Sequence, residues 1–482
     1  MHRLASCPGI DPPEDVVLVE QPPADVLLLS SAGTDLSCLE AVVQASPDWS
    51  SRIRALHLDN LSHPAQLDHY LASTATQARL IVVRLLGSRG HWSYGLEQLQ
   101  RWSEEVADRQ LLVLAGTVDQ QGDLHGIGTV VPSLADRLAA LLREGGETNM
   151  ARLLDAIQAL LNGTPPDSEE IEVAPLADPF PWDWQDDPGA TVGVVLYRAQ
   201  LQAGDTALAQ HLNQALRERG LRPRLIWVSS LRDPAVQAGV LDLLRSQGAQ
   251  VVISGTAFAS VTTEQAGLGS ALWDSLDRPV LQLLTAGTSR ERWQQSSRGL
   301  EPLDLSLQVV MPELDARVTT RPCAFRQARP PLGGLATAIT TQQPDRDGIN
   351  WLVEHAACWI DLQDTPAKHR RMAMVLANYP VRDGRVANGV GLDTPASVVN
   401  IIGWLADAGY QLGEHPIPSN GDRLIASLLA GRTNSAEGRY RPPLDHLPLE
   451  TYQAWWDTIP SEAKARIVSR WGEPQQACDL DG

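Results

Sequence analysis

The chain has 482 residues, with 39 Lys and Arg against 58 Asp and Glu, so its formal net charge is −19. This acidic balance argues against nucleic acid as a partner, because phosphate binding requires a basic surface. No apolar run reaches the roughly 18 residues of a membrane span, and the start MHRLASCPGIDPPED lacks the apolar core of a secretory signal. We therefore expect a cytoplasmic protein with no membrane span and, at this length, with several domains.

Residues 1–162 alternate short apolar runs with helical patterns, which is typical of parallel α/β layers. The predicted strands are Asp25–Ser30, Arg54–Leu58, Arg79–Arg84 and Leu111–Ala115. The predicted helices are Tyr94–Asp108, Leu134–Arg143 and Met150–Leu161. A first α/β domain is expected here.

Residues 163–190 are rich in Pro and acidic residues and predict a linker or surface excursion, held by Trp182 and Trp184. A second α/β domain is expected over residues 191–318. Its helix Thr206–Arg219 is followed by Gly220 at the position of a C-cap glycine. Its predicted strands are Thr191–Arg198, Arg224–Val228, Gln250–Ser254 and Pro279–Leu284.

Residues 319–348 contain PPLGG and predict a second linker, which separates a third region at 349–482. In that region a strand is predicted at Arg371–Ala377. The predicted helices are Ile349–Ile360, Pro395–Ala408, Asp422–Leu429, Leu449–Asp457 and Ser461–Arg470. The fold class is multidomain α/β, with two parallel-sheet domains followed by the start of a third.

The segment Ala377–Pro395, ANYPVRDGRVANGVGLDTP, joins the last predicted strand to a helix. Three glycines allow sharp turns, Asp393 or Thr394 can cap the helix, and the free N–H groups of a helix start can bind an anion. Arginine and asparagine side chains here can pair with carboxylates and amides. The residues alone favour a tight turn that satisfies its own backbone. Candidate ligand-binding residues are Asn378, Tyr379, Arg382, Asp383, Arg385, Asn388 and Asp393, with Thr288 and Ser289 after an earlier strand.

This segment closely resembles the signature of the cobaltochelatase large subunit, a family that includes the magnesium chelatase large subunit. Five further stretches are similar to the family in the same order. They are Val82–Leu99, Val195–Ala207, Val228–Val236, Val280–Leu300 and Met311–Val318. The sequences RDGRVANGVGLDTP and AGTSRERW are more similar to the cobalt enzyme than to the magnesium enzyme.

The resemblance implies a tetrapyrrole-binding subunit that inserts Co²⁺, as substrate, into hydrogenobyrinic acid a,c-diamide in aerobic cobalamin synthesis. It also implies two smaller AAA+ type ATPase subunits as partners, which use ATP and Mg²⁺. The chain itself offers no phosphate-binding loop, because both of its lysines, Lys368 and Lys464, follow alanine and no G-K-[ST] occurs.

Members of the family carry an H-G-x-x-E segment suited to proton removal and metal delivery. Here the only His-Gly pair is His125–Gly126, followed by Ile-Gly-Thr, in a different region. We therefore expect the chain to stop inside its third domain and to be inactive alone, and no catalytic residue is assigned.

Metal binding is not expected from the other histidines and cysteines. His57, His63 and His69 recur every six residues, which is not the spacing of a helical metal pair, and the five cysteines form no C-x-x-C. Two alternatives to the cobaltochelatase reading remain open. One is a tetrapyrrole-binding scaffold without catalysis, and the other is a magnesium chelatase large subunit acting on protoporphyrin IX.

Overall fold

The computed structural model describes residues 17–260, 271–330, 334–378, 383–413, 416–433 and 435–476. The chain divides into two compact units, Met1–Asp361 and Leu362–Gly482, called here the sheet unit and the helical unit. Among the described helices, none is both long and apolar enough to cross a membrane.

The first half of the sheet unit contains a parallel sheet with strand order β2-β1-β3-β4 in the described residues. Its strands are almost entirely buried, as expected when helices cover both faces of a parallel sheet. They are β1 (Val26–Ser30), β2 (Ile53–His57), β3 (Leu80–Leu85) and β4 (Gln110–Ala115). All four predicted strands are confirmed.

Helices pack on the two faces of this sheet in two separate hydrophobic cores. Leu36, Leu138 and Leu153 cover one face, whereas Leu67 and Leu96 cover the other. The helices are α1 (Gly33–Ala45), α2 (Pro47–Ser50), α3 (Pro64–Ser73), α4 (Ser93–Glu105), α5 (Gln121–Leu124), α6 (Pro132–Glu144) and α7 (Glu147–Leu161). The three helices predicted here are confirmed as α4, α6 and α7.

The Pro-rich segment 163–190 crosses the surface and is held by its aromatic residues. It forms β5 (Phe180–Trp182), which pairs antiparallel with a strand of the second sheet. Trp182 meets Trp227 edge-on at 5.8 Å between ring centroids, and the Trp184 Nε1–H donates to the Leu225 carbonyl at 2.9 Å. These contacts anchor the segment to the second sheet.

The second sheet has strand order β11-β10-β9-β8-β6-β7-β5 in the described residues. Strands β6 to β10 run parallel, and β5 and β11 are antiparallel edge strands. These six strands are β6 (Thr191–Tyr197), β7 (Arg222–Val228), β8 (Ala249–Ser254), β9 (Val280–Ala286), β10 (Val318–Arg329) and β11 (Ile339–Pro344). The order β7-β6-β8-β9 repeats the order β2-β1-β3-β4 of the first sheet. In both sheets the second strand lies on one side of the first strand, and the third and fourth strands lie on the other side. The four strands predicted here are confirmed.

Helices again cover this sheet, and Gly220 follows α9 with a positive φ of 79°, as predicted. The π-helical turn Ser306–Val310 lies between α13 and α14. The helices are α8 (Arg198–Gln202), α9 (Ala207–Glu218), α10 (Pro234–Ser246), α11 (Ala271–Leu276), α12 (Arg290–Gln295), α13 (Pro302–Leu305), α14 (Met311–Glu313) and α15 (Arg346–Asp364).

The structure differs from the sequence analysis at residues 319–348, where a linker was expected. This stretch carries β10 and β11, and Pro330 and Gly334 lie in the connection between them. The turn residues therefore mark a hairpin rather than a domain boundary. Helix α15, assigned to the third region, instead buries Leu352 and Ala356 in the core of the second sheet.

The connection between β10 and β11 reaches back to the edge of the first sheet. The Ala55 N–H of β2 donates to the Leu335 carbonyl at 3.2 Å, and Arg54 donates to the Gly334 carbonyl at 2.9 Å. Leu335 and Ile339 are buried in the core of the first sheet. The second half of the sheet unit thus contributes side chains to the core of the first sheet and hydrogen bonds to its edge strand β2.

The described part of the helical unit consists of helices and connecting loops. The four helices predicted here are confirmed as α16 (Thr394–Asp407), α17 (Gly421–Leu429), α18 (Leu449–Trp456) and α19 (Ser461–Trp471). The predicted strand at Arg371–Ala377 is wrong, because this stretch has no regular structure and exposes Met372 and Val375. An alternating sequence makes a strand only beside a partner strand, and none pairs with it in the described residues.

Candidate functional site

The described residues of the glycine-rich segment, 377–378 and 383–393, form a loop before α16. Asn378 and Val386 make an isolated antiparallel bridge, and the Ala387 N–H donates to the Ala377 carbonyl at 2.9 Å. Tyr379 and Arg382 lie outside the described residues, as does the side chain of Arg385. The predicted strand-to-helix connection is thus a folded-back loop whose two ends lie side by side.

Asp383 is bound by side chains from a second loop, 433–441. It accepts hydrogen bonds from Thr433 Oγ1 at 2.8 Å, Ser435 Oγ at 3.0 Å and Arg441 at 3.3 Å. The hydrogen bond from Thr433, supported by those from Ser435 and Arg441, lowers the pKa of Asp383 below its usual value. We call these four residues the Asp383 clasp. A candidate ligand-binding residue therefore has partners within the protein.

Gly438 is part of the reason that the second loop closes around Asp383. Its N–H donates to Ser435 Oγ at 2.9 Å, and a Cβ placed on it would lie 1.8 Å from Thr433 Oγ1. Any larger residue would displace the hydroxyl groups that hold the carboxylate. The sequence analysis missed Thr433, Ser435 and Arg441. The only local signal was a Thr and Ser two positions apart before a glycine, and nothing linked it to a residue 50 positions earlier.

The tip of the glycine loop is a tight turn. The Leu392 N–H donates to the Gly389 carbonyl at 3.1 Å, and Gly391 has a positive φ of 78°, which favours glycine. Val390, the residue before it, is fully exposed. The turn therefore presents an apolar side chain to the surroundings.

The start of α16 is already capped. Asp393 Oδ1 accepts from the Ala396 N–H at 3.0 Å, and Pro395 occupies the first turn. Asp393 is thus the predicted cap, and its carboxylate occupies the place that an external anion would take. Asn388, by contrast, is exposed.

Thr288 and Ser289 belong to the sheet unit, where they follow β9. Ser289 Oγ accepts from the Arg292 N–H at 3.3 Å and caps α12, and the Thr288 carbonyl accepts from the Arg326 N–H at 3.0 Å. Ser289, a candidate ligand-binding residue, therefore caps a helix of the protein itself.

A buried polar cluster joins the residues just before β10 to β9 and to the loop that follows β8. The side chains of Arg317 and Asp315 are both 0% exposed and form an ion pair at 2.6 Å. Arg317 also donates to the Thr256 carbonyl at 2.9 Å and to Gln282 Oε1 at 3.1 Å, while Asp315 accepts from the Ser260 N–H at 2.7 Å. Burial lowers the pKa of Arg317, and Asp315 opposes that shift. The cluster fixes the loop that follows β8, and sequence reasoning did not find it.

The three regularly spaced histidines have ordinary structural partners. His57 Nε2 lies 3.1 Å from the Ser31 carbonyl, His63 caps α3, and His69 Nε2 lies 2.9 Å from Glu20 Oε1. Across the described ranges, no three His, Cys, Asp or Glu side chains come together as a metal would require.

One measurement tests whether the Asp383 clasp holds the two loops together. Asp383→Ala should speed amide hydrogen exchange at Ala387 and Gly438 about tenfold, because the hydroxyls and guanidinium lose their shared acceptor. Ionised Asp383 is the favoured form, so the clasp should be intact above the ordinary carboxyl pKa of 3.8 and open as pH falls through the lowered value. Asp407→Ala, an exposed carboxylate on α16, is the matched control. Equal exchange in both variants would contradict the clasp.

Comparison with known proteins identifies a family and several relatives that this chain resembles. The sequence model described as CobN/Magnesium Chelatase matches residues 139–481. The aerobic cobaltochelatase subunit CobN of Sinorhizobium sp is 34% identical over 98% of this chain and 38% of its own length. The corresponding Pseudomonas aeruginosa protein is 32% identical over 99% of this chain and 39% of its own length.

The fold has a solved counterpart in the catalytic subunit of cobaltochelatase from Mycobacterium tuberculosis. It superposes with a TM-score of 0.63 at 24% identity, over 94% of this chain and 36% of that one. The chain thus spans somewhat more than a third of the length of these relatives, and the α/β class with two parallel sheets is confirmed. Because the family match covers well over half of the residues, the chain belongs to the CobN/magnesium chelatase family.

Proposed function

We propose that the chain is part of the tetrapyrrole-binding large subunit of an ATP-dependent cobaltochelatase in aerobic cobalamin synthesis. The observation that carries this proposal is 34% identity over 98% of the chain to a cobaltochelatase subunit. The substrates would be Co²⁺ and hydrogenobyrinic acid a,c-diamide. The six ordered sequence similarities support the family, and those in RDGRVANGVGLDTP and AGTSRERW favour the cobalt enzyme.

ATP and Mg²⁺ would be used by two smaller AAA+ type subunits rather than by this chain. The absence of G-K-[ST] from all 482 residues supports this division. No residue is proposed as catalytic. The one His-Gly pair does not offer a candidate, because His125 Nε2 contacts Asp136 at 3.0 Å in the first half of the sheet unit.

The glycine loop is proposed to meet the rim of the macrocycle. A corrin carries acid and amide groups around its rim, which suit arginine and asparagine donors on a closely turned backbone. Asp383 and Asp393 already have partners within the protein, so they position the loop. Direct contacts are assigned to Asn378, Tyr379, Arg382, Arg385 and Asn388.

Spectral titration tests this assignment. Hydrogenobyrinic acid a,c-diamide should bind more tightly than protoporphyrin IX, and Arg382→Ala should weaken its binding about tenfold to hundredfold. That range corresponds to the roughly 1.5–3 kcal/mol of one charge-assisted hydrogen bond. Arg466→Ala, an exposed arginine on α19, should leave the affinity unchanged.

Other outcomes have distinct meanings. Tighter binding of protoporphyrin IX would indicate the magnesium enzyme. Tetrapyrrole binding with no association to the two ATPase subunits, measured by light scattering, would indicate a non-catalytic scaffold. If Arg382→Ala left the affinity for the tetrapyrrole unchanged, the loop would be a structural turn that does not contact the ligand through Arg382.

A further inference from the structure

The loop that binds Asp383 is closed by its own backbone. At its two ends the Arg432 N–H donates to the Pro442 carbonyl at 3.1 Å, and a tight helical turn, Gly438–Tyr440, lies near its end. We call residues 432–442, of which the structure describes all but 434, the Tyr440 loop. Because the Asp383 clasp ties this loop to the glycine loop, the two loops are neighbours within the helical unit.

The Tyr440 loop presents a tyrosine and an arginine to the surroundings as a stacked pair. Tyr440 is 82% exposed, and the Arg439 guanidinium lies over its ring, 5.8 Å from the centroid. Arg441 is different, because it donates to Asp383 at 3.3 Å and to the Leu429 carbonyl at 2.6 Å. The Arg439 side chain makes no hydrogen bond or ion pair with any residue that the structure describes. Arg441 thus holds the loop, while the guanidinium donors of Arg439 can meet a ligand.

The two joined loops form a basic area of an acidic chain. Segments 377–395 and 432–442 together contain five Arg and three Asp or Glu, a net charge of +2, while the whole chain carries −19. Two of the three acidic residues, Asp383 and Asp393, already accept hydrogen bonds from protein donors. An anion that approaches this area therefore meets positive charge, and a guanidinium can bind a carboxylate through two parallel hydrogen bonds.

The chemistry of the stacked pair fits a macrocycle that carries carboxylates. A flat ring system packs well on an aromatic face, and carboxylates on its rim pair with a guanidinium. We propose that the Tyr440 loop is a second binding element for the tetrapyrrole, with Arg439 on a rim carboxylate and Tyr440 against the macrocycle. This inference rests on the proposed function, since it names further contacts of the same ligand. The Asp383 clasp then positions two binding loops relative to one another.

Spectral titration of single variants of the full chain tests the stacked pair. Arg439→Ala and Tyr440→Ala should each weaken the binding of hydrogenobyrinic acid a,c-diamide about tenfold, because each variant loses one ligand contact. Tyr440→Phe keeps the aromatic ring and should bind within about twofold of the unmodified chain.

Arg470→Ala is the matched control. Arg470 also lies over an exposed aromatic ring, that of Trp471 at 5.2 Å, but it belongs to α19 and to neither loop. Its replacement removes the same charge from the same unit and should leave the affinity unchanged. If Arg470→Ala weakened binding as much as Arg439→Ala, the arginines would act through net charge alone, and the proposal would be wrong.

A second ligand separates the roles of the two side chains. When the remaining carboxylates of the macrocycle are converted to amides, Arg439→Ala should lose its effect on the affinity and Tyr440→Ala should keep its effect. Hydrogen exchange of the unmodified chain adds a measurement that needs no variant. Saturation with the diamide should slow exchange at the amides of 438–441 about tenfold and leave α19 unchanged.

The outcomes distinguish this inference from the proposed function. Suppose that Arg382→Ala weakens binding, whereas Arg439→Ala and Tyr440→Ala bind like the unmodified chain and exchange in the Tyr440 loop does not change. The glycine loop would then bind the ligand without the Tyr440 loop, and only this inference would be wrong. If the unmodified chain bound no tetrapyrrole, the proposed function and this inference would both be wrong.

Discussion

Asp315→Ala is expected to destabilise the sheet unit by about 3–5 kcal/mol, the usual cost of leaving a buried charge without its partner. Arg317 would keep its positive charge, because arginine does not lose its proton in proteins. Its side chain is fully buried, so that charge would be left without a partner in the interior. The Ser260 N–H would lose its acceptor as well. Urea unfolding followed by circular dichroism should show the transition at a much lower midpoint.

Two control variants separate charge from shape. Asp315→Asn keeps an acceptor for Arg317 and should cost clearly less than the alanine variant. The double variant Asp315→Leu with Arg317→Met removes both charges, and replacing a buried pair by apolar residues is often close to neutral. If Asp315→Ala and the double variant unfolded at the same denaturant concentration, an unpaired charge would not be the cause.

Trp227→Ala should be comparably damaging, at about 3–5 kcal/mol, because it empties the largest fully buried side chain of the second sheet. It would also remove the ring against which Trp182 packs at 5.8 Å. The segment 163–190 should then loosen, which limited proteolysis within that segment would detect.

Trp227→Phe is the matched control. The indole N–H of Trp227 has no hydrogen-bond partner among the described residues, so a phenyl ring gives up no hydrogen bond. The expected cost is below about 1.5 kcal/mol, as for well-matched apolar replacements. Equal damage in Trp227→Phe and Trp227→Ala would mean that this position needs the complete indole and that a smaller aromatic ring does not replace it.

The parallel sheets were predictable because their strands are short, almost wholly apolar and separated by helical patterns. Short apolar runs that are flanked by glycine, proline or polar residues are typical of buried strands rather than helices. The β10–β11 hairpin was missed because VTTRPCAFRQAR contains a proline and several charges, which normally indicate a loop. It forms a strand at the side of the sheet, where one neighbour is the antiparallel edge strand β11.

The candidate site was predictable only in its local features. The cap at Asp393 followed from residues three positions apart. The Asp383 clasp joins residues about 50 positions apart, and no local pattern reports a contact of that range. The strand expected at Arg371–Ala377 failed for the same reason, since pairing depends on a neighbour that the stretch itself does not specify. The remaining loop residues stay predictions for the titration to test.

The contact between the β10–β11 connection and β2 has a consequence for synthesis on the ribosome. Arg54 donates a hydrogen bond to the Gly334 carbonyl, and the ribosome adds Gly334 280 residues after Arg54. At about 5–20 residues per second, that interval lasts roughly 15–60 s. During this interval the first sheet has an incomplete core and an unpaired edge at β2. Unpaired strand edges promote aggregation with other incompletely folded chains. We expect nascent chains shorter than about 340 residues to need chaperone protection, and slower translation to lower the soluble yield.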